Sequence, residues 1–174
     1  MTKDLTQGKI TPLLVKFTIP LLFGNIFQLM YNSVDSIIVG QLVGKEALAA
    51  VGTSNPLMTL AILFVNGMCI GASILMGTQY GAKKMDVLKR QISTTMIAGI
   101  VFSIAVTLFC ILFARPLLLL IRVQEEVLPL AVSYLRIVFL GFIFTFIYNF
   151  FACTLRALGD STTPLYFLVA SSVL

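Results

Sequence analysis

No Asp, Glu, Lys or Arg occurs between Ala47 and Ala82, between Gln91 and Ala114, between Ile137 and Leu155, or between Ser161 and Leu174. A further stretch from Phe17 to Gly44 is interrupted only by Asp35. An apolar run of about 20 residues is what a helix needs to cross ~30 Å of hydrocarbon. Inside lipid each backbone N–H and C=O must be satisfied within its own segment, so a single apolar run crosses as a helix. The runs therefore read as an all-α integral membrane protein, a polytopic helix bundle. It has four full transmembrane helices, approximately 13–43, 51–80, 90–114 and 127–156, and a truncated fifth, 162–174. The fifth is too short to span and ends without charge or breaker, so the chain is expected to be a fragment of a longer protein.

Composition agrees and excludes other classes. Hydrophobic residues make up 59% and charged residues 11% of the 174 positions, against ~25% charged in soluble domains. The net charge of +5 comes from only 12 Lys and Arg against 7 Asp and Glu, which suits membrane topology and gives no nucleic-acid-binding surface. With no His, proton chemistry near neutral pH falls to carboxylates. Cys69, Cys110 and Cys153 lie in apolar runs without C-x-x-C spacing and read as small packing residues. Lys3, Lys9 and Lys16, then Lys83, Lys84, Lys89 and Arg90, then Arg156 flank one side of the spans; Lys45, Arg115 and Arg122 flank the other. By the positive-inside rule the N-terminus is cytoplasmic and the protein multi-pass in the cytoplasmic (inner) membrane. Tyr80, Tyr134 and Arg136 stand near span ends, where amphipathic rings settle and an Arg snorkels outward without further function.

Asp35 is the residue that costs most. Counted from Lys16, it stands about 28 Å along helix one at ~1.5 Å per residue, in the outer half of the bilayer. A carboxylate at membrane depth costs at least ~2.5 kcal/mol, so it must face water, a partner or a cation. Asn25, Gln28, Asn32 and Asp35 are spaced 3, 4 and 3, which at ~100° per residue confines them to an arc of about 80°. A polar stripe at that depth reads as the lining of an aqueous cavity or ion path, with interhelical hydrogen bonding as the competing explanation. Asn66, and Thr145 with Asn149 one turn apart, are candidates for the opposite wall. A carboxylate with amide and hydroxyl oxygens suits sodium at Asp35, and desolvation would equally favour a proton there.

Other features concern the scaffold. Gly40 with Gly44, Gly67 with Gly71 and Gly77 with Gly81 form small-xxx-small pairs that let helices approach. Pro20 and Pro56 fall within spans, where each removes a backbone donor and loosens its helix, a habit of transporter helices beside cavities. Phe23, Phe27, Phe64, Phe142, Phe146 and Phe150 could form an apolar wall for a ligand, or pack and face lipid.

Two segments carry a resemblance. Tyr31 through Gly40, continued by Gly44 through Gly52, is similar to the first helix and loop of the MATE (multidrug and toxic compound extrusion) family. Tyr134 through Ile137, and then Tyr148-Asn149 through Leu155-Arg156-Ala157-Leu158-Gly159-Asp160-Ser161-Thr162-Thr163-Pro164, resembles that family's fourth helix and its cytoplasmic turn into the fifth. The likeness covers essentially the whole chain and is nearest to bacterial branches like the DNA-damage-inducible protein F group. Local chemistry explains part of the turn: Gly159 can end a helix, Arg156 and Asp160 can pair across one turn, and Thr163 before Pro164 can cap a helix with Pro at N1. The turn reads either as structural or as a cytoplasmic gate.

The resemblance implies an N-terminal lobe, incomplete here, of a twelve-helix exporter with two six-helix lobes. It implies that Asp35 is the sodium or proton site and that Pro20 permits bending of helix one. The expected function is a cation-coupled antiporter exporting amphipathic organic cations or drugs, inactive as this piece alone because the C-terminal lobe is missing. The expected partners are a small amphipathic substrate and membrane lipid, with no cofactor beyond the coupling ion. The alternative is a flippase for lipid-linked oligosaccharides, which would be expected to show several intramembrane cations where this chain has only Arg136. An enzyme is not expected, since there are no paired intramembrane carboxylates and no G-x-S-x-G.

Overall fold

A computed structural model describes residues 10–42 and 44–173. For some positions, Tyr31, Asn32, Asp35 and Ser36 among them, only the helical backbone is described. Six helices follow one another: α1 (Ile10–Leu42), α2 (Lys45–Gly81), α3 (Met85–Leu120), α4 (Leu128–Leu140), α5 (Phe142–Ala157) and α6 (Thr163–Val173). No strand occurs among the described residues. Three helices are long and apolar enough to cross a membrane, and a fourth crossing results if α4 and α5, bent by 45° at their junction, form one span.

Three helices end in the same backbone device. After α5 the Asp160 N–H donates to the Leu155 carbonyl (2.9 Å) and the Gly159 N–H to Arg156 (3.1 Å), with Gly159 at φ 85°. This is a Schellman ending, which needs one left-handed residue. After α2 the equivalent bonds run from Lys84 to Gln79 and from Lys83 to Tyr80, each 3.0 Å; after α3 they run from Val123 to Leu118 (3.2 Å) and from Arg122 to Leu119 (3.0 Å). Here the left-handed residues are Lys83 and Arg122, both at φ 57°. A Cβ in that conformation costs roughly 1–2 kcal/mol. A cation at a helix C-terminus recovers part of it from the helix dipole.

Two expected helices differ from the sequence reading. Helix three does not stop at 114 but runs through Arg115 and Pro116 to Leu120, because a charge near the membrane boundary does not end a helix whose apolar run resumes. The fourth is not continuous. Gly141 interrupts it at φ −79°, and the carbonyl of Phe139, just before the break, accepts a hydrogen bond from Thr107 Oγ1 on α3 at 3.1 Å. A break in lipid persists only when a neighbour satisfies the freed carbonyls, and Thr107 is such a neighbour.

The chain divides into two compact units. One comprises residues 1–34, 69–95 and 149–174, the other 35–68 and 96–148. In the first, Cys69, Met76, Leu88, Phe150, Ala152 and Cys153 are buried. The Cys69 and Cys153 thiols lie beside one another, and Thr154 Oγ1 donates to the Phe150 carbonyl (2.8 Å) and lies 3.7 Å from Met76 Sδ. In the second, Val65, Ala114, Leu118, Leu135, Phe139 and Phe146 are buried. There Ser54 and Ser103 return their hydroxyls to Ala50 and Gly99 carbonyls at 2.7 and 2.8 Å, so these buried oxygens are paired within their own helices.

Among the described residues, close packing does not fall at the glycines of the small-residue pairs read from the sequence; the surroundings of Gly40 lie outside the described residues. A Cβ at Gly44, Gly67, Gly71 or Gly81 would meet nothing within 4 Å, and one at Gly77 would make ordinary contact with the Ala157 carbonyl at 3.6 Å. The tight position is Gly99 on α3, where a Cβ would overlap the ring of Phe146.

Candidate functional site

Pro20 stands inside α1, whose helical backbone continues on either side from Ile10 to Leu42. It removes the N–H that would serve the Lys16 carbonyl. Beyond it, the positions of Asn25, Gln28, Asn32 and Asp35 all fall on this helical backbone. Asn25 and Gln28 are exposed. The side chains of Asn32 and Asp35 lie outside the described residues. No described side chain of the Thr11–Met30 stretch is buried. Amides on an open face are at ease only where water or another polar surface meets them.

Asn66 is half-buried on α2, and Thr145 and Asn149 are half-buried on α5, one turn apart. Both α5 residues are engaged in contacts, and the Thr145 N–H reaches the Gly141 carbonyl at 3.3 Å. Asn25 and Gln28 belong to one compact unit with Asn149; Asn66 and Thr145 belong to the other, which also contains Asp35. Among the described residues no three His, Cys, Asp or Glu side chains come together.

Among the described residues, two hollows lie in the unit that includes 35–68. One, of about 520 Å³, is lined by Leu60, Leu63, Phe64, Gly67, Met68 and Phe102 and is apolar throughout. The other, of about 440 Å³, is lined by the polar Thr53, Arg122 and Gln124 together with apolar residues that include Pro56 and Val127. Neither is lined by a residue of the stripe. The six phenylalanines read as one possible wall separate into two sets: Phe142, Phe146 and Phe150 are buried, whereas Phe23, Phe27 and Phe64 are exposed.

The turn between α5 and α6 is the best-defined polar cluster. Asp160 Oδ1 accepts from the Thr162 N–H (3.1 Å), the Thr162 hydroxyl (3.0 Å) and the Thr163 N–H (3.0 Å), while Oδ2 accepts from the Thr163 hydroxyl (2.7 Å). Burial of Asp160 pushes against its charge. The hydrogen bonds from the Thr163 side chain and backbone and from Thr162 outweigh that burial and hold the carboxyl well below the usual carboxylate range. This corrects two expectations. Among the described residues Arg156 makes no bond to Asp160, because the carboxylate is turned toward the start of α6. The residue whose carbonyl takes the first helical bond is Thr162, from the Tyr166 N–H at 3.1 Å, which puts Pro164 at the second helical position and leaves the capping to Asp160. The spacing Asp-x-Thr-Thr-Pro was the available signal, since an Asp two or three residues before a helix reaches its free N–H groups.

Comparison with known proteins agrees over nearly the whole length. The MatE family profile matches residues 20–174. The probable multidrug resistance protein YpnP of Bacillus subtilis is 33% identical over 171 residues, covering 98% of this chain and 38% of that protein. YoeA of the same organism, also a probable multidrug resistance protein, is 35% identical over 158 residues, covering 91% of this chain and 34% of that one. The crystal structure of MATE in complex with MaD3S superposes with a TM-score of 0.90 at 25% identity, over 100% of this chain and 40% of that chain. The chain thus spans less than half the length of the relatives it matches.

Proposed function

This chain belongs to the MatE family, one of multi-pass membrane transporters and not of enzymes, and from that premise we propose that it forms part of a cation-coupled exporter of amphipathic organic cations. Asp35 is the coupling site in this reading, binding sodium or a proton while Asn25, Gln28 and Asn32 line the water-filled approach. The observation that carries it is one acidic residue on the unbroken helical backbone of α1, with uncharged sequence from Phe17 to Val34 before it and from Ser36 to Gly44 after it. Such a carboxylate is stable at membrane depth only with water or a cation for company. A charge moving through 100 mV supplies ~2.3 kcal/mol, which is the drive the exporter would use. The Lys and Arg distribution supports a cytoplasmic N-terminus in the cytoplasmic membrane. Alternating access requires two halves rocking about a central site, so residues 1–174 alone are proposed to insert without transporting, and the remaining lobe is the partner required.

The test is efflux of a fluorescent cationic dye from cells making a transporter of full family length with residues 1–174 as its first part. Asp35→Asn is expected to abolish gradient-driven efflux while membrane insertion stays normal. Dissipating the sodium and proton gradients separately identifies the coupling ion. Undiminished efflux in Asp35→Asn would overturn the mechanism.

A further inference from the structure

Arg136 lies about 12 Å along α4 from Leu128 at ~1.5 Å per residue. Its Nε donates to the Ile111 carbonyl on α3 at 3.3 Å. Ile111 lies about 13 Å back from the end of α3 by the same measure. Two helices thus independently place the guanidinium well inside the level of the connecting loop, where Arg122, Gln124, Glu125 and Glu126 mark the polar boundary. The side chain is exposed, and so are Ile137 and Leu140 on α4 and Leu112 on α3. This outer face is apolar around Arg136, with the exposed Arg115 on α3 one turn nearer the loop than Ile111.

The cation is under-served. A guanidinium carries five N–H donors, and the Ile111 carbonyl takes one of them. Among the described residues no carboxylate pairs with Arg136. A charge held beside acyl chains must draw water or an anion inward, or reach for the headgroups. The Cα–Cβ bond of a helical residue tilts toward the helix N-terminus, which for α4 is the loop side, so the remaining N–H fork is offered toward the nearer headgroup layer. A planar fork matches two oxygens of a phosphate.

We propose that Arg136 is a binding site for the phosphodiester of a membrane lipid in the leaflet nearest the α3–α4 loop, with the lipid's acyl chains lying over Leu112, Ile137 and Leu140. The apolar surround selects the lipid over free phosphate, which would have to shed its water without gaining apolar contact. This goes beyond snorkelling: the lipid is held in one place, and the Ile111 carbonyl fixes the guanidinium plane that receives it.

Native mass spectrometry of the delipidated 174-residue chain in detergent, titrated with phosphatidylglycerol, tests the site. The wild-type chain is expected to retain one lipid, and Arg136→Gln to bind it at least tenfold more weakly with unchanged helicity by circular dichroism. Arg136→Lys, which keeps the charge but loses the fork, should fall between them, and Arg90→Gln in the first turns of α3, far from the α3–α4 loop, should match wild type. Millimolar inorganic phosphate should not displace the lipid. Equal phosphatidylglycerol affinity in Arg136→Gln overturns the proposal, as does displacement by phosphate. Should Arg136→Gln lose its helicity, Arg136→Lys decides: weaker binding by the folded variant supports the site, and binding equal to wild type overturns it.

Discussion

Helix α1 and the bent pair α4–α5 have nearly interchangeable compositions and opposite fates. Described side chains of α1 from Thr11 to Met30 are nowhere buried, and Leu22, Phe23, Ile26, Phe27, Leu29 and Met30 are all exposed. The pair buries Leu128, Ala131, Leu135, Phe139, Phe142, Phe146 and Phe150. In water this contrast would follow hydrophobicity. In lipid an outward Leu costs nothing, and burial follows shape, small residues admitting large ones. Gly99 admits Phe146, whereas the exposed side chains of α1 include the amides Asn25 and Gln28. The buried pair is scaffold, and the helix that buries none of its described side chains from Thr11 to Met30 carries the amides Asn25 and Gln28.

Truncating one ring in each region gives the largest expected difference. Phe146→Ala should destabilise by ~3–5 kcal/mol, the usual cost of removing a buried aromatic side chain. Phe27→Ala should stay within ~0.5 kcal/mol, as exposed substitutions do. Thermal or SDS unfolding of the purified chain compares them, and similar losses in both would break the contrast.

The contrast also marks how far the sequence could be read. Charge-free runs revealed the helices, because a transmembrane segment is defined by what lipid forbids, and Asp35 stood out for the same reason. Which phenylalanines pack was not legible from hydrophobicity, since both sets sit in uncharged runs. Only the spacing of Phe142, Phe146 and Phe150, one turn apart each, hinted at a common face. The break at Gly141 was hidden because a glycine is tolerated in membrane helices, and the hydroxyl that meets the carbonyl beside it, on Thr107, lies far away in sequence. The turn at Asp160 was located correctly but its partners were misassigned: charge complementarity suggested Arg156, and geometry chose the N–H groups and hydroxyls at the start of α6.

That turn extends the comparison to a polar contact on the packed side. Asp160→Ala removes the acceptor for the backbone N–H groups of Thr162 and Thr163 as well as their hydroxyls. Losing a side chain that caps a helix start costs ~0.5–2 kcal/mol, so the loss should fall below that of Phe146→Ala. The pH dependence has a definite sign. The folded carboxyl titrates below its unfolded value of ~3.9, so its contribution is complete above that pH and is lost as pH falls through the lower folded value. Unfolding midpoints of the wild-type chain should fall between pH 5 and pH 3, and those of Asp160→Ala should fall less. Parallel curves would show that the carboxylate does not hold the turn.

The smallest effect sits at the break itself. Thr107→Val keeps the shape of the side chain and deletes the donor to the Phe139 carbonyl. Interhelical hydrogen bonds in membranes contribute ~0.6 kcal/mol on average, and the cost here should be of that order. If the bent pair is held by ring packing, as the contrast with α1 implies, Thr107→Val will shift the unfolding midpoint only slightly and leave the 45° bend intact in a spin-label distance measurement between α4 and α5. A loss rivalling that of Phe146→Ala would mean instead that one hydroxyl, bonded across to a carbonyl beside Gly141, sustains the break, and that shape alone does not explain why this part of the chain packs and α1 does not.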